Sequence, residues 1–206
     1  MYQPPQFKST DAAAAAELMR RHPFANLIST DDTGFPYVTH LPLHLEERDG
    51  KYILLGHVAK PNPHWRYLQA RPEALVVFNG PHAYQSPAIY EDRQRVPSWN
   101  YVVVHCKVRA ALIEDPQAKD ALLKKLIGDH EPAYAEQWRS LGEDFALKML
   151  AGIVGFELEV TEWACKIKLN QHRPESHAKL QAGYAAGNAD ERELAAWMER
   201  LGLKGK

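Results

Sequence analysis

The sequence is short of the features that announce most protein classes. Only two cysteines, Cys106 and Cys165, occur in 206 residues, too few for a disulfide framework or a cysteine-based zinc site. Uncharged apolar stretches such as Leu75–Phe78 and Tyr101–Val104 fall far short of the ~18 residues needed to span a bilayer, so no membrane partner is expected. The opening MYQPPQFKSTD lacks the charged and apolar regions of a secretory signal, and the expected compartment is cytoplasmic. An excess of either charge is missing as well. Twenty-five Lys+Arg against 26 Asp+Glu leave a formal charge of -1, and composition offers no basic face for nucleic acid. There is no GxGxxG after a strand, no GK[ST] phosphate loop and no GxSxG elbow, which removes the usual dinucleotide, nucleotide-triphosphate and serine-hydrolase sites.

What is present reads as an ordinary globular chain, 45% hydrophobic and 25% charged, of one domain or one domain with a small appendage. Thr10 or Asp11 can cap a helix over AAAAAELMRR, because a short side-chain oxygen satisfies free first-turn N–H groups; Pro23 ends it. Phe24–Thr30 reads as a strand followed by a turn at Asp31–Gly34. Strands at Tyr37–Glu46 and Lys51–Val58 are joined by ERDG, whose Asp-Gly pair suits a hairpin. Asn62–Gln69 can form a short helix started by Pro63. Ala74–Phe78 is a strand with apolar residues on both faces, and Asn79–Pro97, with three prolines, reads as a long loop. In Trp99–Leu112 the residues Val102, Val104, Cys106 and Val108 share one face, where a thiol behaves as a small hydrophobe; both cysteines are expected to be structural and unpaired. Helices follow at Pro116–Ile127, Pro132–Leu141 and Asp144–Leu150, then a long strand Ile153–Leu169 and two tail helices, Glu175–Ala186 and Asp190–Leu201.

About six consecutive strands with short connections favour an antiparallel sheet curled into a barrel over βαβ crossovers. The expected fold class is α+β, mainly antiparallel β, with peripheral helices. Residues 1–173 form the barrel domain, and 174–206 a helical extension packed on it.

Ten histidines and twenty aromatics are available for a site, and six of the histidines fall between His40 and His105. His40 and His44 stand four apart in an extended stretch, ~13 Å at ~3.3 Å per residue, so they cannot share one metal. The GHVAKPNPHW segment places His57, Lys60 and Asn62 where a strand turns into a helix start. Free N–H groups and a lysine there suit a phosphate or carboxylate; a plain strand–helix turn with a solvated lysine explains them too. NGPHAYQSP and VPSWNY set aromatics beside hydrogen-bonding groups, as a planar heteroaromatic ligand requires. KIKLNQHR, residues 166–173, holds four residues able to be cationic, the pattern either of an anion site or of a solvated edge.

Five strings in order, MYQPPQF, GHVAKPNPHW, GPHAYQSPAIY, VPSWNYVVVH and KIKLNQHR, resemble the PaiB family of FMN-binding negative transcriptional regulators, over residues 1 to about 175. Ser98 stands where that pattern has Thr, and Asn170 and His172 where it has Ser and Asn. The resemblance implies a split β-barrel related to pyridoxamine-phosphate-oxidase-like flavoproteins, a homodimer, and FMN at the subunit interface. FMN needs a flat wall, a few N–H and C=O partners, and a cationic end. The resemblance assigns the wall to the Tyr37–Leu43 strand, with Thr39 and His40, and to Trp99 or Tyr101. The cationic end falls either to His57 with Lys60, beside Asn62, or to Lys168 with Arg173; Arg173 offers paired donors, Lys168 a point charge, and Gln171 beside them both donor and acceptor for the ring's mixed edge. DNA as a partner follows from the resemblance alone, since no helix-turn-helix is legible and the Asp190–Leu201 helix is acidic on balance. Two other classes stay open: a flavin-dependent oxidoreductase, in which the cofactor carries the chemistry, and a haem-handling split barrel, suggested only by the histidine count.

Overall fold

The computed structural model describes residues 1–92 and 94–203. Arg93, inside the expected loop, and residues 204–206, at the end of the expected tail, lie outside the described residues, as does the Glu143 side chain. β1 (Lys8–Ser9) precedes α1 (Ala12–Arg21), and Asp11 caps that helix by accepting from Ala14 N at 3.1 Å. β2 (Phe24–Thr30) runs into a turn where Asp31 Oδ1 accepts the N–H groups of Thr33 and Phe35, at 2.8 and 2.9 Å.

The single strand expected over 37–46 is two strands, β3 (Pro36–Pro42) and β4 (His44–Arg48). Pro42 has no N–H to continue a ladder, and the N–H of Leu43 turns aside to Pro23 O at 3.0 Å. His40 and His44 therefore belong to different strands. β4 and β5 (Lys51–Ala59) make a hairpin whose two loop residues, Asp49 and Gly50, have φ of 51° and 75°. Positive φ at both loop residues matches the right-handed strand twist, which is why Asp-Gly is favoured there.

After α2 (His64–Ala70), β6 (Glu73–Gln85) continues through residues expected to be loop. Gly80 and Pro81 conceal its alternation. A Cβ on Gly80 would lie 2.5 Å from Leu18 Cδ1 and 2.9 Å from Val102 O, so close packing, not looseness, demands the glycine. β7 (Ser98–Ile113), α3 (Pro116–His130), α4 (Tyr134–Ser140), α5 (Glu143–Ala151), β8 (Ile153–Lys168), α6 (His177–Ala185) and α7 (Ala189–Arg200) follow. The described residues form eight strands, two more than expected, because β3 and β4 separate and β1 carries no sequence signal.

The strand order is β3-β2-β6-β7-β8-β5-β4, with β1 beside β8; β1 and β8, β2 and β3, β2 and β6, β4 and β5, and β5 and β8 pair antiparallel. The chain resolves into two compact units, one of residues 1–18, 79–104 and 164–206, the other of 19–78 and 105–163. In the second unit, β3 and β4 stand at opposite ends of the strand order yet are joined by Leu43 alone. The sheet must curl until these edges approach, giving a split barrel, with no ladder between them among the described residues. Leu27, Leu41, Leu43, Leu54, Phe156 and Leu158 are buried in this unit. β5 is covered on both faces, because Ile53 and Leu55 pack under Leu122 and Leu126 of α3. In the first unit α7 starts with a reciprocal cap: Glu191 N donates to Asn188 Oδ1 at 3.0 Å, and Asn188 N to Glu191 Oε2 at 2.7 Å. Cys106 and Cys165 are buried and form no disulfide among the described residues, and burial pushes the Cys165 thiol up to about 11. Among the described residues no helix is long and apolar enough to cross a membrane.

Candidate functional site

The residues singled out from the sequence fall into two groups. In the second unit, His64 opens α2 fully buried between strands. Its Nε2 lies 2.9 Å from Ser29 Oγ, and its Nδ1 lies 2.7 Å from Thr39 Oγ1. Asn62 closes the arrangement. Its Oδ1 accepts from His64 N at 3.0 Å and from Tyr37 OH at 3.4 Å, and its Nδ2 donates to Thr39 Oγ1 at 3.3 Å. The Tyr37 ring meets His64 and Tyr67 edge-on, with centroids 5.1 and 5.2 Å apart. Burial holds the His64 imidazole neutral, lowering its pKa to about 4. Thr39, Asn62, Tyr37 and Tyr67 remain half-buried around it. The result is an aromatic rim with polar groups beneath, held from below by a neutral histidine.

The expected anion site at the start of α2 takes a different form, since Asn62 Oδ1 already accepts a first-turn N–H. Lys60 is exposed; its N–H donates to Gly152 O at 2.8 Å, and its carbonyl accepts from Trp65 Nε1 at 3.0 Å. His57, half-buried on β5, has a buried Nδ1 without a partner among the described residues, and burial lowers its pKa. His40 alternates to the opposite side of β3 from Thr39. It stacks on Phe24 at 6.5 Å and bonds to Asn26; Thr39 and His40 are not brought together.

In the first unit, Lys168 Nζ donates to Ser98 Oγ at 2.6 Å and sits 5.8 Å from the Tyr101 ring centroid. Lys166 Nζ lies 5.3 Å from the same ring and 5.7 Å from that of Tyr2, and donates to Tyr2 O at 3.2 Å. Neither lysine has an ion-pair partner among the described residues. Burial, together with the Lys166 charge, lowers the Lys168 pKa, although Tyr101 opposes this. Trp99 stands 53% exposed between His82 and Tyr84, with ring centroids at 6.0 and 6.1 Å. Gln171 clamps its own turn: Nε2 donates to Ile167 O at 2.6 Å and Oε1 accepts from Leu169 N at 2.8 Å. Arg173 is half-buried, one residue before the turn at Pro174–Ser176.

Behind this cluster runs a polar network that sequence reasoning missed. Asn100, fully buried, donates from Nδ2 to Gln85 Oε1 and Tyr184 OH, each at 2.9 Å. Gln85 Nε2 donates to Tyr90 OH at 2.9 Å, and Asn170 Nδ2 donates to Tyr90 OH and Ser176 Oγ, each at 2.7 Å. Asn170 has φ of 61°, a left-handed conformation that asparagine tolerates better than most residues. The motifs that suggest a ligand thus also anchor Tyr90 and the α6 helix. Asn and Gln inside otherwise apolar strands were the signal available for this.

A sequence profile of the family described as "Putative FMN-binding domain" matches residues 1–162. "Protease synthase and sporulation protein PAI 2" of Bacillus subtilis (strain 168) is 36% identical over 181 residues, which cover 85% of this chain and 84% of that protein. The chain belongs to the PaiB family of FMN-binding proteins. Among solved structures, the flavocytochrome Anf3 from Azotobacter vinelandii matches with a TM-score of 0.60 at 18% identity, covering 79% of this chain and 69% of that one. The FAD and heme binding protein from Mycobacterium smegmatis matches with a TM-score of 0.58 at 20% identity, covering 78% and 73%. At these identities the likeness shows the fold, a split barrel. The PaiB-family chain is an FMN-binding split-barrel protein, and its unneutralised lysine pair fits the dianionic phosphate of that cofactor.

Proposed function

We propose that this PaiB-family protein is a cytoplasmic, homodimeric FMN-binding regulator. The FMN phosphate is met by Lys168 and Ser98 beside Tyr101; in the second unit, Thr39 and Asn62 are a separate pair of polar groups able to meet the edge of a flavin. The observation that carries the reading is the lysine pair. Two ammonium groups at an aromatic ring, without a carboxylate partner among the described residues, require a counter-ion, and a phosphate near charge -2 supplies one. When bound, FMN would supply redox-active flavin chemistry, and Lys168 and Ser98 would orient its anionic end. In a homodimer a ligand can draw its contacts from two copies, as the family resemblance implies. Titrating apo-protein with FMN by fluorescence quenching tests the assignment. Lys168→Met should weaken binding by about 1.5–3 kcal/mol, the scale of a charge-assisted hydrogen bond; an unchanged dissociation constant would remove Lys168 from the site.

The dimer is supported by an uncovered sheet face in the second unit. Val38, Ile28 and Leu75 are in register across β3, β2 and β6, with Phe24 and Val77 on the same face. Phe24 is 65% and Val38 45% exposed. The His40–Asn26 pair separates Phe24 from the Val38–Ile28–Leu75 row, and an exposed apolar row with an exposed phenylalanine beside it is the composition of an association surface. Light scattering should find a dimer at micromolar concentration and a monomer for Val38→Glu; a wild-type monomer that still binds FMN would contradict the interface version of the site. The regulatory role is supported by kinship with PAI 2 and by the sequence resemblance.

A further inference from the structure

The buried hydroxyl and imidazole protons around Thr39 can be counted. Asn62 is oriented by the backbone N–H of His64, which must meet its oxygen, so the amide nitrogen faces Thr39 and donates to Oγ1. One lone pair of Thr39 is therefore filled. Ser29 is buried, and His64 Nε2 is the one partner of its hydroxyl among the described residues. A buried O–H without an acceptor is costly, so Ser29 donates, and Nε2 must be the unprotonated nitrogen. A neutral imidazole then carries its proton on Nδ1, which donates to Thr39 Oγ1 at 2.7 Å. Both lone pairs of Thr39 are occupied, and its own proton has no acceptor inside the cluster.

We infer that the Ser29–His64 pair fixes Thr39 as an obligate hydrogen-bond donor, so that the ligand group seated against Thr39 is an acceptor: a carbonyl oxygen, an unprotonated ring nitrogen or a phosphate oxygen. The inference rests on the proposal that Thr39 contacts FMN, and it adds a polarity to that contact. His64 is a positioning residue, which acts on the ligand through Thr39. A ligand edge presenting N–H at this point meets a second donor and is rejected, because neither group then finds an acceptor. The arrangement gives one buried histidine a part in ligand choice without touching the ligand.

Two measurements test it. Proton–nitrogen correlation spectra of protein carrying isotope-labelled histidine, with the His64 signals assigned by their loss in His64→Asn, report the tautomer directly. The expected form has the proton on Nδ1, and an Nε2–H form would overturn the inference. FMN titrations supply the second readout. Thr39→Val should bind about tenfold more weakly, one neutral hydrogen bond. His64→Asn places an amide N–H where Nδ1–H stood and should restore binding to within about threefold of wild type. His64→Gln places its N–H toward Ser29 instead and should remain about tenfold weaker. A purely structural role would make Asn and Gln alike, and equal affinities would overturn the inference, as would wild-type affinity in Thr39→Val. If wild-type protein fails to bind FMN at all, the flavin assignment falls, while the tautomer measurement still decides the polarity of Thr39.

Discussion

Lowering the pH should unfold this protein through His64 in a way that a single substitution isolates. His64 is fully buried and lies between two hydroxyls rather than beside a carboxylate, so nothing in its surroundings stabilises a positive charge. Burial lowers its pKa from 6.5 to about 4. The folded state therefore binds this proton less readily than the unfolded chain, and stability falls as pH falls. The contribution is fully present above the unfolded value of 6.5 and is lost progressively down to the folded value of about 4. The span from 6.5 to about 4 is about 2.5 pH units; at about 1.4 kcal/mol per unit it amounts to roughly 3.5 kcal/mol. His57 and His105 are also lowered by burial and add slope of the same sign to wild type and variant alike. Urea unfolding of wild type and His64→Asn at several pH values across this window separates the terms. The wild-type advantage measured near neutral pH should shrink by about 1.4 kcal/mol per unit and then level off. Parallel stability curves for the two proteins would refute the reasoning.

Asn100→Leu should destabilise by about 1–3 kcal/mol in chemical unfolding, because Gln85 and Tyr184 lose a buried partner; a shift within error would mean that water substitutes for it. Gly80→Ala should cost about 1–3 kcal/mol, since the new methyl meets the backbone oxygen of Val102 at 2.9 Å and cannot be relieved by a rotamer change; differential scanning fluorimetry reads this as a lowered Tm. Generic duplex DNA should bind weakly at physiological salt, given the formal charge of -1; submicromolar affinity with a steep salt dependence in an anisotropy titration would reveal a basic surface.

The barrel was legible because its signals are local. FANLIST alternates over the whole of β2, the Val102–Val108 alternation marks β7, and Asp-Gly fixes one hairpin. The break at Leu43 was not, because its cause is a bond to Pro23 made only after folding. The end of β6 is hidden for a related reason: Gly80 and Pro81 have loop character in the sequence, and only the fold sets Leu18 and Val102 beside Gly80. The same division holds for the site. Thr39, Asn62 and Lys168 were marked by residue type and by family resemblance. Their partners, Ser29 at 35 residues from His64 and Ser98 at 70 from Lys168, are chosen by strand topology, which no local pattern encodes. Gln171 had the chemistry to meet a flavin edge, but the left-handed turn at Asn170 directs both ends of its amide to backbone.

Whether the chain holds FMN is read from the visible absorption and fluorescence of protein titrated with the flavin. Saturation at one FMN per chain, with flavin absorption bands retained through gel filtration and quenched emission, is the predicted result. Free FMN separating completely from the protein, or a haem-type absorption band in its place, would contradict the account.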